Sequence, residues 1–198
     1  MKVKLKKIKG KRLSLTEEKN ALDYLEQAYY YIRQTEKNII AWKWVVISLF
    51  GALYGFAVCA CKGTSPSNVT CKTKSGKMKL ISFDDALKLC QRPDWMHMTV
   101  FSKHLVLTDQ QKKSVERLKE GLRNNFEHYI PTGWSIEIHG MPQMAIDVLE
   151  VIRFLALDTG NYVHLATRQN TKIEYMVLQS KRILEKSQLY KETELVRK

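Results

Sequence analysis

The sequence predicts an all-α protein, and three observations carry that expectation. Almost every strongly periodic segment repeats its apolar residues at spacings of three and four, the period of a helix face. Nine Gly and four Pro in 198 residues are too few for a turn-dense or linker-rich chain. Hydrophobic residues at 44% and charged residues at 27% give the balance of one folded domain. The expected architecture is a bundle of five or six helices over residues 15–190, with a loop or short hairpin inserted. A basic arm precedes it at 1–14 and a charged tail follows at 191–198.

Ser14-Leu15-Thr16-Glu17 has the form of a capping box, with Ser14 as N-cap and Glu17 at the third helical position. It opens a helix predicted to run to about Lys37, with Leu22, Leu25, Ala28, Tyr29 and Ile32 on one face. From Trp44 to Cys61 run eighteen residues without a charge, the threshold length of a membrane span. Ser48, Gly51 and Gly55 interrupt the run, Lys43 and Lys62 flank it, and every other helix is amphipathic and requires an apolar surface to pack on. A central helix buried on all sides supplies that surface, which favours a core helix over a small membrane protein built on this segment.

Gly63, Pro66, Asn68 and Ser75-Gly76 make 62–81 a loop or short hairpin. Ser82 then caps a short helix with Asp84 and Asp85 in its first turn, ending near Arg92-Pro93. Thr108-Asp109-Gln110-Gln111 begins a long polar helix whose buried stripe is Val115, Leu118, Leu122, Phe126 and Tyr129, stopped by Pro131. GWSIEIHG at 133–140 reads as a turn and a short extended piece. Pro142 fits the first turn of another helix, with Met144, Ala145, Val148, Leu149, Ile152 and Leu155 facing inward. A turn at Asp158-Thr159-Gly160-Asn161 precedes a final helical region carrying Ile173, Met176, Val177 and Leu184.

Thirty-three Lys and Arg against twenty Asp and Glu leave a net charge of +13, which favours a polyanionic partner such as nucleic acid or an anionic membrane face. Lys2, Lys4, Lys6, Lys7, Lys9, Lys11 and Arg12 concentrate seven of those charges in the first twelve residues. Such a run reads either as a solvated arm or as an electrostatic arm that recruits phosphate backbone without sequence preference. Leu13-Ser14-Leu15-Thr16-Glu17-Glu18 stands where a secretory signal needs an apolar stretch, so a cytoplasmic location is expected. Cys59, Cys61, Cys71 and Cys90 fit no zinc spacing and read as reduced thiols. His97 and His104 have no Cys or carboxylate at metal-site spacing, and nothing singles out His139 or His164. No metal or cofactor is expected.

The chemistry-bearing run is Leu122-Arg123-Asn124-Asn125-Phe126-Glu127-His128-Tyr129, just before a helix-ending proline. Two adjacent Asn are poor helix formers, and without a function the run reads as a fraying last turn. Read functionally, Arg123 binds a phosphate bidentately and His128 serves as general acid or base near neutral pH. Asn124 and Asn125 orient a hydroxyl or a phosphate. This set suits phosphodiester cleavage of RNA, where the substrate's own 2′-hydroxyl is the nucleophile. On a regular helix, positions five apart differ by about 140° around the axis and about 7.5 Å along it. Arg123 and His128 therefore meet only if the helix distorts or if a second copy completes the site across a two-fold axis, and the second option is favoured.

Arg123-Asn124-Asn125-Phe126-Glu127-His128 resembles the R-x4–6-H motif of the HEPN superfamily, with a polar residue directly after the Arg. The setting is also similar, a late helix in an all-α domain with an early, very apolar helix, and the resemblance spans about residues 15–157. It implies a HEPN-like bundle and a metal-independent endoribonuclease, commonly dimeric, of the kind found in toxin–antitoxin, phage-defence and RNA-processing systems. Arg123 and His128 become the catalytic pair, with Asn124 assisting. Some toxin subgroups carry a Tyr two residues after the His, where this chain has Ile130. The expected function is thus RNA cleavage by a cytoplasmic homodimer, with Lys4, Lys6, Lys7, Lys9, Lys11, Arg12 and Asn125 binding RNA and a neutralising protein as a further partner. The competing class is a non-catalytic RNA- or protein-binding HEPN-like module.

Overall fold

A helix with no polar face of its own dictates the architecture. The computed structural model describes residues 11–128, 133, 135–161 and 167–197. It is mostly helical, at 68%, with two three-residue strands. At its centre lies α2 (Ala41–Lys62), preceded by α1 (Glu17–Ile32). Val45, Val46, Leu49, Leu53, Phe56, Ala57, Ala60 and Cys61 of α2 are fully buried. The expected core helix is therefore present, two turns' worth of small residues included.

Gly51 and Gly55, which interrupt the apolar run, are where α1 comes closest. A Cβ at Gly55 would stand 2.7 Å from the Ala21 Cβ, and one at Gly51 only 2.5 Å from the Tyr24 ring. Tyr31 stacks on Trp44 and Glu18 meets Lys62, so the contacts ascend one helix as they descend the other. The two helices are antiparallel. Their link corrects the predicted first helix at both ends. Thr16, not Ser14, is the N-cap, accepting from the Lys19 N–H at 3.3 Å. That start places Glu17 and Glu18 in the first turn, where the dipole favours acids, and seats Glu18 against Lys62 at 3.1 Å. The helix stops at Ile32 instead of Lys37, because the N–H groups of Lys37 and Asn38 turn back to the Gln34 carbonyl and reverse the chain into α2.

A hairpin follows, as the loop composition predicts, with β1 (Thr70–Lys72) antiparallel to β2 (Met78–Leu80) and Cys71 opposite Lys79. Ser82 caps α3 (Phe83–Cys90) through the Asp85 N–H, and α4 (Pro93–Met96) is a single turn. Thr108 and Gln111 form a full capping box on α5 (Asp109–Glu116). The long polar helix is then three segments, with a π-helical stretch at Arg117–Arg123 and a last turn, α6 (Asn124–Glu127). A π turn holds an extra residue, so side chains after it are rotated from their 3.6-residue positions. Val115, Leu118 and Leu122 are buried as expected, whereas Phe126 is half-buried and Tyr129, Ile130 and Pro131 lie outside the described residues.

The interior closes with α7 (Met141–Arg153), which runs on into a π-helical turn at Phe154–Asp158, and α8 (Thr167–Lys186). Buried Asp147 ties α7 to α5, accepting from Ser114 Oγ at 2.5 Å, Gln110 Nε2 at 3.1 Å and Gln143 Nε2 at 2.8 Å. Ile173, Met176, Val177 and Leu184 of α8 are buried as predicted. The expected charged tail is instead helical as far as Arg197, in α9 (Gln188–Arg197). Ser187 ends one helix and starts the next: its hydroxyl donates to the Leu184 carbonyl and accepts from the Tyr190 N–H. Cys59, Cys61, Cys71 and Cys90 are all free thiols, and burial pushes Cys59 up to about 12.

Two predictions follow from the contact of α1 with α2. Gly55→Ala forces a methyl onto Ala21, with no flexible side chain to yield, and is expected to cost about 1–3 kcal/mol in urea unfolding. An unchanged midpoint would show that the helices separate freely. Burial raises the Glu18 carboxyl, but its own N–H, the Thr16 hydroxyl and Lys62 outweigh that and hold it below the ordinary 4.5. Its contribution is present above about pH 4.5 and is lost as pH falls through the lowered value. Unfolding measured from pH 7 to pH 3 should therefore show a shallower acid loss for Glu18→Gln than for the native chain, and equal slopes would remove the pair from the account.

Candidate functional site

Arg123 closes the π-helical stretch, and the rotation it imparts turns the guanidinium inward over α2. Its Cζ lies 4.7 Å from the centre of the Phe50 ring. Nη1 donates to Asn124 Oδ1 at 3.0 Å, and Nη2 pairs with Glu127 Oε2 at 2.5 Å, one helical turn on. Nε is buried and has no hydrogen-bond partner among the described residues. The side chain remains 27% exposed. The guanidinium is thus part-exposed and already paired with Glu127, and its unpartnered Nε is buried, so an anion would meet it only at the Nη edge.

The two asparagines are explained by the local backbone. Asn124 bridges Arg123 to Glu120, donating to Glu120 Oε2 at 2.8 Å. Asn125 donates to the Gly121 carbonyl within the π turn at 3.0 Å. His128 ends α6 as its C-cap, with φ −112° and ψ 50°, its N–H bonded to the Asn124 carbonyl and its side chain exposed.

The structure brings Arg123 together with Asn124, but not with His128. Arg123 and Glu127 line a cleft of about 270 Å3 with Tyr24, Phe50 and Tyr54, and His128 is not among its lining residues. The helix is distorted, as one of the two sequence options requires, yet the distortion precedes Arg123 instead of falling between Arg123 and His128. Asn125 is exposed beside the cluster, and Lys11 and Arg12 are exposed ahead of α1. Lys4, Lys6, Lys7 and Lys9 of the arm, and His164, lie outside the described residues. His97 and His104 face each other with ring centres 6.2 Å apart. Among the described residues no group of three or more His, Cys, Asp and Glu could hold a metal ion.

Glu127 was readable from its position four residues after Arg123, the spacing of a helical ion pair. Phe50 and Tyr24 were not readable, because they reach the site only through tertiary packing. No family model, curated protein or solved structure matches the chain.

The cluster makes an asymmetric prediction. Glu127→Gln removes one partner of a part-exposed pair and is expected to change unfolding stability by less than about 1 kcal/mol. Arg123→Ala also strips the cation and its stem from the Phe50 ring, and should cost about 1–2 kcal/mol more. Equal costs in urea titrations would show that the ring contact contributes nothing.

Proposed function

We propose that this chain is a metal-independent endoribonuclease of HEPN type, acting as a cytoplasmic homodimer. The observation that supports it most is the Arg123-to-His128 run. It ends a late helix of a mostly helical chain and carries a part-exposed guanidinium and an exposed imidazole, held apart within one copy. In this reading Arg123 neutralises the scissile phosphate and Asn124 fixes its orientation. His128 takes the proton from the 2′-hydroxyl, whose oxygen attacks phosphorus as the bond to the 5′-oxygen breaks. A proton returned from His128 to that 5′-oxygen completes the step, leaving a 2′,3′-cyclic phosphate and a 5′-hydroxyl.

Arg123 turns over α2 while His128 caps α6, so one chain supplies half of each pair and a two-fold partner supplies the other. The arm, with Lys11 and Arg12 at its described end, adds sequence-independent attraction to phosphate. A toxin or phage-defence effector restrained by a neutralising protein is the setting this activity suits. The absence of His128 from the Arg123 cleft favours a second reading, a binding module in which Arg123 holds phosphate and no bond breaks.

Incubation of purified protein with total RNA in EDTA separates the two. Wild type is expected to release fragments ending in cyclic phosphate, His128→Ala to bind RNA without cleaving it, and Arg123→Ala to lose cleavage and weaken binding. Removal of a general acid–base typically costs about 100- to 10,000-fold in rate. RNA bound by all three proteins and cleaved by none would establish the binding module. Cleavage undiminished by either substitution would overturn the site.

A further inference from the structure

Beyond the cleft at Arg123, both helices of the antiparallel pair carry aromatic side chains outward along the same groove. On α1, Tyr24 is followed two turns later by Tyr31. On α2, exposed Trp44 and half-buried Ile47 lead inward to half-buried Tyr54 and buried Phe50. Tyr31 and Trp44 stack with ring centres 5.9 Å apart and planes 23° off parallel. Trp44 is 43% exposed and Tyr24 36%, large apolar faces left open to solvent along one line. The Tyr54 hydroxyl donates to the Ile81 carbonyl, which fixes its ring in the cleft wall. Gly51 and Gly55 line the cleft floor and let α1 close against it, the Tyr24 ring lying over Gly51.

A cation stands at the outer end, with Lys43 Nζ 5.3 Å from the Trp44 ring centre. Inside the cleft, Glu17 pairs with Lys62 at 3.6 Å and Glu127 with Arg123, so acids and bases there are matched. The interior thus offers ring faces, while Lys43 at the rim has no ion-pair partner among the described residues. Trp44 to Tyr54 covers ten residues of α2. At about 1.5 Å per residue that is about 15 Å, room for about four stacked nucleotides at about 3.4 Å each.

We infer that the α1–α2 groove is a stacking track for single-stranded RNA that delivers the strand to Arg123. The inference rests on the RNA-directed reading of that site. Bases lie on Tyr31, Trp44 and Tyr24, and phosphates run past Lys43 toward Arg123. Duplex RNA is excluded because its bases are already stacked on one another. A second copy of the chain on the same stripe would face these cations with its own, whereas RNA brings phosphates to them.

The test uses full-length His128→Ala, so that binding is read without cleavage. Anisotropy of a labelled eight-nucleotide oligouridine should show that Trp44→Ala added to this background weakens binding about tenfold, the loss of one base–aromatic stack. Sedimentation mass should be unchanged, and affinity for a blunt RNA duplex should stay lower than for the single strand. On the chain with Trp44 intact, 5-iodouridine substituted into the oligonucleotide should photocrosslink to Trp44 or Tyr31. Unchanged affinity, crosslinks away from α1 and α2, or a change in mass marking the stripe as a contact between copies would each overturn the track. Trp44-independent binding with wild-type cleavage removes the track and leaves the nuclease. Trp44-dependent binding without wild-type cleavage does the reverse.

Discussion

Burial of α2 is the constraint on which the other elements depend. Its fully buried Val, Leu and Phe side chains are each worth about 1.5–3 kcal/mol out of water, and only the stripe through Trp44, Ile47 and Tyr54 meets solvent. The amphipathic helices α1, α3, α7 and the π-helical stretch must therefore each turn an apolar stripe toward it. Gly51 and Gly55 determine how closely the first of these approaches. The same helix places buried Phe50 beneath the cleft, and that ring is the platform on which the Arg123 guanidinium rests. Core packing and the candidate site are consequently parts of one arrangement.

Much of this frame was legible from local pattern. The charge-free run at Trp44–Cys61, the capping residues Ser82 and Thr108, the hairpin in the Gly-, Pro- and Ser-containing loop and the inner faces of α7 and α8 all follow from spacing and composition. The departures have local causes. Ser14 and Thr16 are both competent caps two residues apart, and the burial of Glu18 against Lys62 selects the second. The π-helical stretch leaves no mark in a pattern whose Leu118 and Leu122 fit a regular helix equally well. It divides one expected helix into α5, the π stretch and α6, while α4 and α9 are further short helices beyond the expected set. The stretch at 191–198 reads as a charged tail beyond the bundle, but Ser187 restarts a helix that runs to Arg197, with Leu189 and Tyr190 packed against the core.

The site was legible as a list of residues and not as a geometry. Arg123, Asn124 and His128 stand out in sequence because Asn pairs are unfavourable inside helices. Where the guanidinium points is decided by the extra π residue and by Phe50 on another helix, neither visible from spacing. The outcome is an arginine committed to the α1–α2 side and a histidine left at the helix end. In the proposed dimer this division of a cation from a proton carrier would be repaired across the two-fold axis, each copy supplying what the other lacks in place.

That claim is tested most directly by mixing two inactive variants, Arg123→Ala and His128→Ala, under conditions that exchange subunits, and measuring RNA cleavage. If each site takes its arginine from one copy and its histidine from the other, half of the dimers regain one of two sites. Activity should then return to about one quarter of wild type. A mixture as inactive as its components, with exchange verified and the wild type active, would contradict the account.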